Sequence, residues 1–377
     1  MKKHMNKYMI RNYTLFGREK KKEDRLTKLL REILKKPVLQ YLVFAVLMSV
    51  CGYLMSQNIL PYSWQSSMST VFAHSIAAVG FCLLMGYSGL ASLGTGGFVG
   101  IGAYCVHYIM NEAGLSFFVA LIVSILVAAL IGLIVGFISL RIEGIYLVIL
   151  TLALSEIFRS LCVAVETTID VKKGLHIFGM KIPTTSYMMV ASVFLFVIMT
   201  ITSNLINSPT GRAMLAMKNS TAAAQAMGIS LIKYRLMAFT ICTIYAAVAG
   251  TIWIFFDRGI DSSLGTGPMS LSTSLNILGA VIIGGYKSIF GAVIGSFMLC
   301  GGFELVVLNN DVVKTLLGTI LPIDIVPDII GILQGILVII IVMFYPGGLA
   351  QLLVELKTKL KALGKKMKEA KYGKDLG

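Results

Sequence analysis

Few side chains in this 377-residue sequence have the types and spacing that chemistry requires. Glu156 and Arg159 lie three apart in an apolar run, on one face of a helix. An ion pair inside a membrane serves a proton relay or a substrate gate, or it is structural, neutralising itself while the arginine snorkels outward. His74, His107, Asn276, Glu304 and Gln334 each stand alone among apolar neighbours, where a polar group commonly bonds one helix to the next. Asp324 and Asp328 are four apart without companions. Hydrolysis or metal chemistry needs paired carboxylates or His/Cys clusters, and these spacings do not provide them. The 6 cysteines form no C-x-x-C pair, which points away from zinc and disulfides and toward small packing residues. The expectation is a chain that is not an enzyme, with no catalytic residue, no metal and no cofactor of its own.

A stronger signal is a charged, small-residue island between two long apolar segments, residues 207–234. Pro209 and Gly211 break the preceding span, Ala213 to Met227 is rich in helix formers, and Gly228 suits a left-handed C-cap. Arg212, Lys218, Lys233 and Arg235 have no acid among them. Such a helix is unusual for a plain cytoplasmic loop and suits a knob that fits a partner's groove. The second signal is residues 86–102, with glycine at 86, 89, 94, 96, 97, 100 and 102. Glycine at this density weakens a helix, and backbone opened at membrane depth is tolerated where protein or a water-filled cavity satisfies it. Two readings stand: a discontinuous helix beside a translocation path, with Tyr87, Ser88, Ser92, Gly94, Thr95 and Gly97 as candidates, or close helix packing through small residues. A phosphate-binding loop is excluded, because no strand precedes the segment and no nucleotide motif register is present.

The elements that must hold these residues are membrane helices. Apolar residues make up 56% of the chain and charged residues 14%, with a mean hydropathy of +0.84, so a soluble fold would expose far too much hydrocarbon. A hydrocarbon core of roughly 30 Å takes about 20 apolar residues per helix. Ten runs qualify, near 38–56, 66–87, 95–112, 116–138, 144–163, 185–206, 235–256, 270–285, 288–308 and 328–346. The run at 270–285 is short and reads equally as half of a broken helix with the next. Threaded from a cytoplasmic N-terminus, this order puts 27 of the 33 Lys and Arg residues inside, which favours an even number of spans and two cytoplasmic termini. Residues 66–163 and 235–346 each carry a glycine-dense stretch followed by apolar helices, five crossings apart, as in an inverted repeat.

The cations gather at the chain ends rather than interleaving with aromatics, so their partner is anionic lipid and not nucleic acid. Residues 1–37 form a basic leader whose Leu26, Leu29, Leu30, Ile33 and Leu34 follow helical spacing, as in an amphipathic helix on the inner leaflet. No cleavage site follows the first apolar run, so that run is expected to stay in the protein. Residues 38–348 are the transmembrane domain and 349–377 a basic tail.

Several stretches together resemble a known family. Gly86-Tyr87-Ser88-Gly89-Leu90-Ala91-Ser92-Leu93-Gly94 with Gly102-Ala103-Tyr104, Gly144-Ile145-Tyr146 with Thr151-Leu152, and Gly211-Arg212-Ala213 with Ala223-Ala224 and Gly228 are similar, in order, to LivM-type permease subunits of branched-chain amino acid ABC importers. Gly284-Gly285 with Gly291 continues the likeness. The resemblance implies an all-α, type II importer-like permease of about ten helices in the cell membrane. It implies a homologous second permease, two cytoplasmic ATPases that bind the ATP, and an extracytoplasmic solute-binding protein as partners. Gly211, Arg212, Ala223, Ala224 and Gly228 would belong to the loop that couples to an ATPase. Related permeases carry urea or amides, simple sugars, or nucleosides. A rival of another class, an ion-coupled secondary transporter, would need an ion site for which only Glu156 or Glu304 offers a start. A membrane-embedded transferase would need companions for Asp324 and Asp328.

Overall fold

Long apolar runs without acids have no partner for their backbone in hydrocarbon except their own carbonyls, so they wind into helices. The computed structural model describes residues 37–56, 62–139, 144–165, 168–171, 175–177, 180–181, 186–257, 260–261, 267–302, 326–345, 347–352 and 355. The helices are α1 (Pro37–Ser56), α2 (Tyr62–Leu83), α3 (Thr95–His107), α4 (Phe117–Ser139), α5 (Ile145–Val165), α6 (Tyr187–Asn207), α7 (Pro209–Asn219), α8 (Thr221–Ala226), α9 (Leu231–Asp257), α10 (Leu271–Gly284), α11 (Ile289–Leu299) and α12 (Val326–Phe344). π-helical turns extend α2 through Leu84–Ser88 and α3 through Tyr108–Glu112. Among the described residues, five helical segments are long and apolar enough to cross a membrane: Met68–Ser88, Phe117–Ile138, Ile145–Val165, Tyr187–Asn207 and Leu231–Phe256.

α9 is the axis of the bundle. α2, α3 and α4 all pack on it, and glycine sets how closely. A Cβ on Gly102 would stand 2.1 Å from Ala247 O, and one on Gly250 would stand 1.8 Å from Val99 O. Gly132 and Gly136 do the same for α4, the first against the Thr243 side chain and the second against Leu236 and Phe239. This pair is therefore a packing device within the chain. Outside this core, α1, α4, α5 and α12 turn large apolar side chains outward, among them Leu126 and Leu130, both more than half exposed. A face so apolar and so open belongs in lipid.

At the end of the bundle away from α7 and α8, short strands tie helix ends together. β1 (Thr168–Ile169) pairs antiparallel with β4 (Ile260–Asp261), joining the segment after α5 to that after α9, and β2 (His176–Ile177) pairs with β3 (Met180–Lys181). His107, alone in its apolar run, anchors this end. Its Nδ1 lies 2.7 Å from Asp170 O, which also accepts from Asn111 Nδ2 at 2.7 Å.

Two expectations change. The 270–285 and 288–308 runs are neither one interrupted rod nor two full spans within the described residues. α10 and α11, of 14 and 11 residues, are about 21 and 17 Å long and fold against each other as a hairpin. Gly284 faces Gly291 and Ala280 faces Gly295, backbone to backbone, and Gly285 turns the chain at φ 102°. The island at 207–234 is two helices rather than one, because Ser220 leaves helical geometry at φ −158° and its hydroxyl caps a new helix through Ala223 N at 3.2 Å. The leader 1–36, residues 303–308, Glu304, Asp324 and the tail from 356 lie outside the described residues.

Candidate translocation path and docking element

The glycine-dense stretch divides at Gly94. Before it the backbone is opened: α2 ends in its π turn, Gly89 takes φ 76°, and residues 89–94 carry no helix. Protein groups satisfy the opened segment. Leu90 N donates to Leu84 O at 3.3 Å, Ser88 Oγ donates to Leu84 O at 2.6 Å, Gly94 N donates to Ser92 Oγ at 3.2 Å, and Leu93 N donates to Thr151 Oγ1 at 3.1 Å. After Gly94, α3 begins and its glycines serve contact. Gly94 and Gly97 lie flush against α5, where a Cβ would come 2.8 Å from Thr151 O and 3.0 Å from Ser155 Cα. Open backbone thus occupies residues 89–94, with close packing on both sides of it, at Gly86 against Tyr286 O and at Gly94 and Gly97 against α5.

The first turn of α3 meets the first turn of α10. Gly96 N donates to Ser274 Oγ at 2.9 Å, and a Cβ on Gly96 would sit 2.9 Å from Ser270 O. Gly100, one turn further along α3, reaches back to Met269, which precedes α10. The two helices therefore run in opposite directions from a common level, the arrangement an inverted repeat produces. That level is inside the bundle: Thr151, which Gly94 touches, is six residues into α5, roughly 9 Å from its start. Hydroxyls collect there. Ser92, Thr95, Thr151, Ser155, Ser270 and Ser274 are all buried. Of the candidates read from sequence, Ser92, Gly94, Thr95 and Gly97 are buried at or beside this junction, and Ser88 is buried in the π turn at the end of α2. Tyr87 is set apart at the end of the bundle that carries α7, half-buried, donating to Lys287 O at 3.2 Å. The hydroxyls on α5 and α10 were not among the site residues read from the sequence, where Thr151 entered only through the family resemblance. Their i, i+4 spacing, Thr151/Ser155 and Ser270/Ser274, is a signal that would have found them.

The island is built by local rules. Ser208 caps α7 by accepting from Gly211 N at 3.4 Å, Pro209 fills the first turn, and Gly211 is pressed so close that a Cβ would lie 2.2 Å from Ile206 O. Met214 and Met217 bury α7 against the bundle, while Arg212 stays exposed and donates to Asn207 O at 3.1 Å. α8 ends in a Schellman pattern: Gly228 at φ 76°, Ile229 N to Ala224 O at 3.0 Å, Gly228 N to Gln225 O at 2.9 Å. The pair Ala223 and Ala224, read together as one small surface, is separated. Ala224 is buried and Ala223 faces out, because neighbours on a helix point about 100° apart. The outward surface includes Thr221, Ala222, Ala223, Gln225, Ala226, Gly228 and two large apolar residues the sequence reading passed over, Met227, 82% exposed, and Ile232, 59% exposed.

Lys218 departs from Arg212 and Lys233, which are exposed. Rather than facing outward, its Nζ donates to Met85 O at 3.0 Å and Gly86 O at 2.9 Å and lies 4.4 Å from the centroid of the Tyr286 ring. Burial, and then the charge of Lys287, draw its ammonium below the usual lysine pKa, with Cys82 opposing. On α5, Arg159 Nε donates to Glu156 Oε1 at 2.9 Å and Oε2 at 3.1 Å, and its Nη2 also meets Oε1, so the two form a closed pair on a largely exposed face.

Comparison with known proteins adds a family to this geometry. A family model described as branched-chain amino acid transport system / permease component matches residues 65–342. The high-affinity branched-chain amino acid transport system permease protein LivM of Escherichia coli is 27% identical over 273 residues, 64% of this chain and 63% of the relative, so the match spans less than two thirds of that protein. LivM of Salmonella typhimurium is 26% identical over 304 residues, 71% of each chain. The autoinducer 2 import system permease protein LsrC of an Enterobacter species is 26% identical over 264 residues, 68% of this chain and 76% of the relative. No solved structure matches the chain.

Proposed function

We propose that this chain, which belongs to the family of branched-chain amino acid transport system permease components, is the membrane subunit of an ABC importer for branched-chain amino acids. It works by alternating access, driven by ATP hydrolysed on separate subunits. The observation that carries the reading is the junction of α3 and α10, where two short helices begin side by side within the bundle among buried hydroxyls. Helix N-termini carry partial positive charge, and discontinuous helices meeting at mid-membrane favour an anionic group. The carboxylate of an amino acid suits that field, and hydroxyls suit its ammonium. The path runs past Ser88, Ser92, Gly94, Thr95 and Gly97, with Tyr87 at its inner mouth. The names of the Escherichia coli and Salmonella relatives support the substrate class.

In this reading α7 and α8 form the ATPase contact. Ala223 and Gly228, with Met227, present a small-sided apolar knob, Arg212 adds charge at its edge, and Gly211 and Ala224 seat the element on the bundle. The positive-inside bias supports a cytoplasmic side for this element, both termini, the basic leader and the tail. A second permease, two ATPases and a solute-binding protein complete the importer. A second reading draws on the LsrC relative, whose name concerns autoinducer 2 import: a polyhydroxylated, sugar-like substrate would also suit the hydroxyl-rich junction.

The test is uptake of radiolabelled leucine by cells that lack their own branched-chain importers and express this chain together with ATPase, second-permease and binding-protein subunits from the same organism. Leucine should accumulate, with isoleucine and valine competing and urea, nucleosides and sugars not competing. Competition by a sugar alone would move the assignment to the second reading. Accumulation by the chain reconstituted without any ATPase would overturn the importer reading altogether.

A further inference from the structure

The last turn of any helix leaves carbonyls without intrahelical donors. At the end of α2 the problem is sharper, because the π turn and the left-handed Gly89 send the chain away without continuing the helix. Leu84 O is satisfied by the amides that follow and by Ser88 Oγ. Met85 O and Gly86 O instead receive their donor from Lys218, more than 130 residues later. A cation at a helix C-terminus also meets the negative end of the helix dipole. The lysine stem runs along Gly89, whose missing Cβ would stand 3.2 Å from Lys218 Cγ. The same ammonium stacks on Tyr286, in the turn between α10 and α11. That turn is pressed on the end of α2 as well. Tyr286 O accepts from Cys82 Sγ at 3.3 Å, and a Cβ on Gly86 would be 1.9 Å from the same oxygen.

Three elements thus converge on one nitrogen: α7, the end of α2 that leads into the opened segment and α3, and the turn at the far end of α10. α3 and α10 are the two helices whose first turns abut at the junction. We propose that Lys218 is a positioning residue that carries movement of α7 to both of them at once, so that a pull on the α7–α8 element shifts the opened segment and the α10–α11 hairpin together. The inference rests on the reading of this chain as an ATP-driven permease and identifies the side chain through which the drive passes. A lysine that served packing alone would not need to meet both the end of α2 and the turn that follows α10, as this one does.

The experiment uses the complete importer in lipid nanodiscs for ATP hydrolysis and in vesicles for uptake, with uptake expressed per ATP hydrolysed. Lys218→Met keeps the aliphatic stem and removes the ammonium. It should still bind the ATPase and hydrolyse ATP, while uptake per ATP falls at least tenfold. Maleimide labelling of Cys82, read by mass spectrometry of its peptide, should rise in the same variant as the Tyr286 turn loosens. Lys218→Arg, which restores a charged donor, should recover a substantial part of the coupling. Unchanged uptake per ATP in Lys218→Met, with Cys82 still protected, would overturn the proposal. Should Lys218→Met fail to accumulate, Tyr286→Leu decides. It leaves both carbonyl bonds and removes the ring, and a threefold or larger fall in uptake per ATP supports the role, whereas an unchanged ratio overturns it. A wild-type complex that hydrolyses ATP yet moves no tested amino acid would count against the substrate assignment. A transporting wild type whose lysine variant stays fully coupled would count against Lys218 alone.

Discussion

The glycine-dense entry to α3 and the α7–α8 element are both built from small residues, and they put smallness to opposite uses. Along α3 every missing side chain is matched by a neighbour. Gly96 meets α10, Gly97 meets α5 and Gly102 meets α9, each at a distance that a Cβ would close to 3 Å or less. In α8 the outward residues Ala222, Ala223 and Ala226 meet solvent, and nothing lies within 4 Å of where a Cβ on Gly228 would be. Inside the bundle small residues bring backbones of one chain together; on α8 they leave a smooth surface that this chain does not fill. The difference separates residues whose enlargement should harm folding from residues whose enlargement should harm only an assembly.

The largest effect should come from Gly102→Val or Gly250→Val. Each would drive a side chain into the backbone of a facing helix, 2.1 Å from Ala247 O or 1.8 Å from Val99 O, and a backbone cannot turn aside as a side-chain tip can. Overpacking of a core commonly costs about 1–3 kcal/mol and more where the backbone must shift. Folded protein in the membrane should drop by most of its amount, measured by quantitative blotting and thermal stability in detergent. Normal abundance of both variants would show that α3 and α9 are less tightly joined than drawn.

Gly94→Val and Gly97→Val come next, and they sharpen the contrast because they sit where packing gives way to the opened segment. Their Cβ atoms would press on Thr151 O at 2.8 Å and on Ser155 Oγ at 2.9 Å. Since these contacts border the junction, leucine uptake should be abolished while abundance falls by less. Normal uptake in both variants would leave packing as the whole account of these glycines.

Much of this was legible in the sequence, for identifiable reasons. The runs 116–138, 144–163 and 185–206 return as Phe117–Ser139, Ile145–Val165 and Tyr187–Asn207, because hydrocarbon length and self-satisfied backbone leave little freedom. Gly228 announced its left-handed cap and takes it. The break of the island at Ser220 was present as an N-cap residue followed by helix formers, yet an alanine-rich run overrides such a signal in a reading by propensity alone. The phase of α8 could not be read, since a helix of alanines carries no apolar stripe to say which alanine is inside. The inward turn of Lys218 was beyond sequence altogether. It depends on carbonyls at Met85 and Gly86 that only the fold brings near.

The separation of Ala223 from Ala224 gives a paired test with a smaller effect. Ala223→Glu puts an unpaired charge on the outward face, which should weaken ATPase binding and lower leucine uptake severalfold with abundance near normal. Ala224→Glu buries the charge under α8 and should lower abundance instead, since an unpaired buried carboxylate costs several kcal/mol. Co-purification of the ATPase alongside membrane yield distinguishes the two, and identical behaviour would mean that the helix phase is wrong.

The mildest effect belongs to Gly228. A side chain there meets no neighbour, so the cost of Gly228→Ala is conformational only: φ of 76° is open to glycine and strained for alanine, by roughly 1–2 kcal/mol. That is enough to fray the end of α8 without unfolding a bundle that α8 barely supports. ATPase affinity should fall by less than tenfold, and protein yield should not change. Asparagine tolerates the left-handed region better than alanine does, so Gly228→Asn should bind the ATPase more tightly than Gly228→Ala despite its larger side chain. If instead affinity falls in order of side-chain size, with asparagine worse than alanine, the partner presses directly on this position, and Gly228 belongs with the packed glycines of α3 rather than with the open surface of α8.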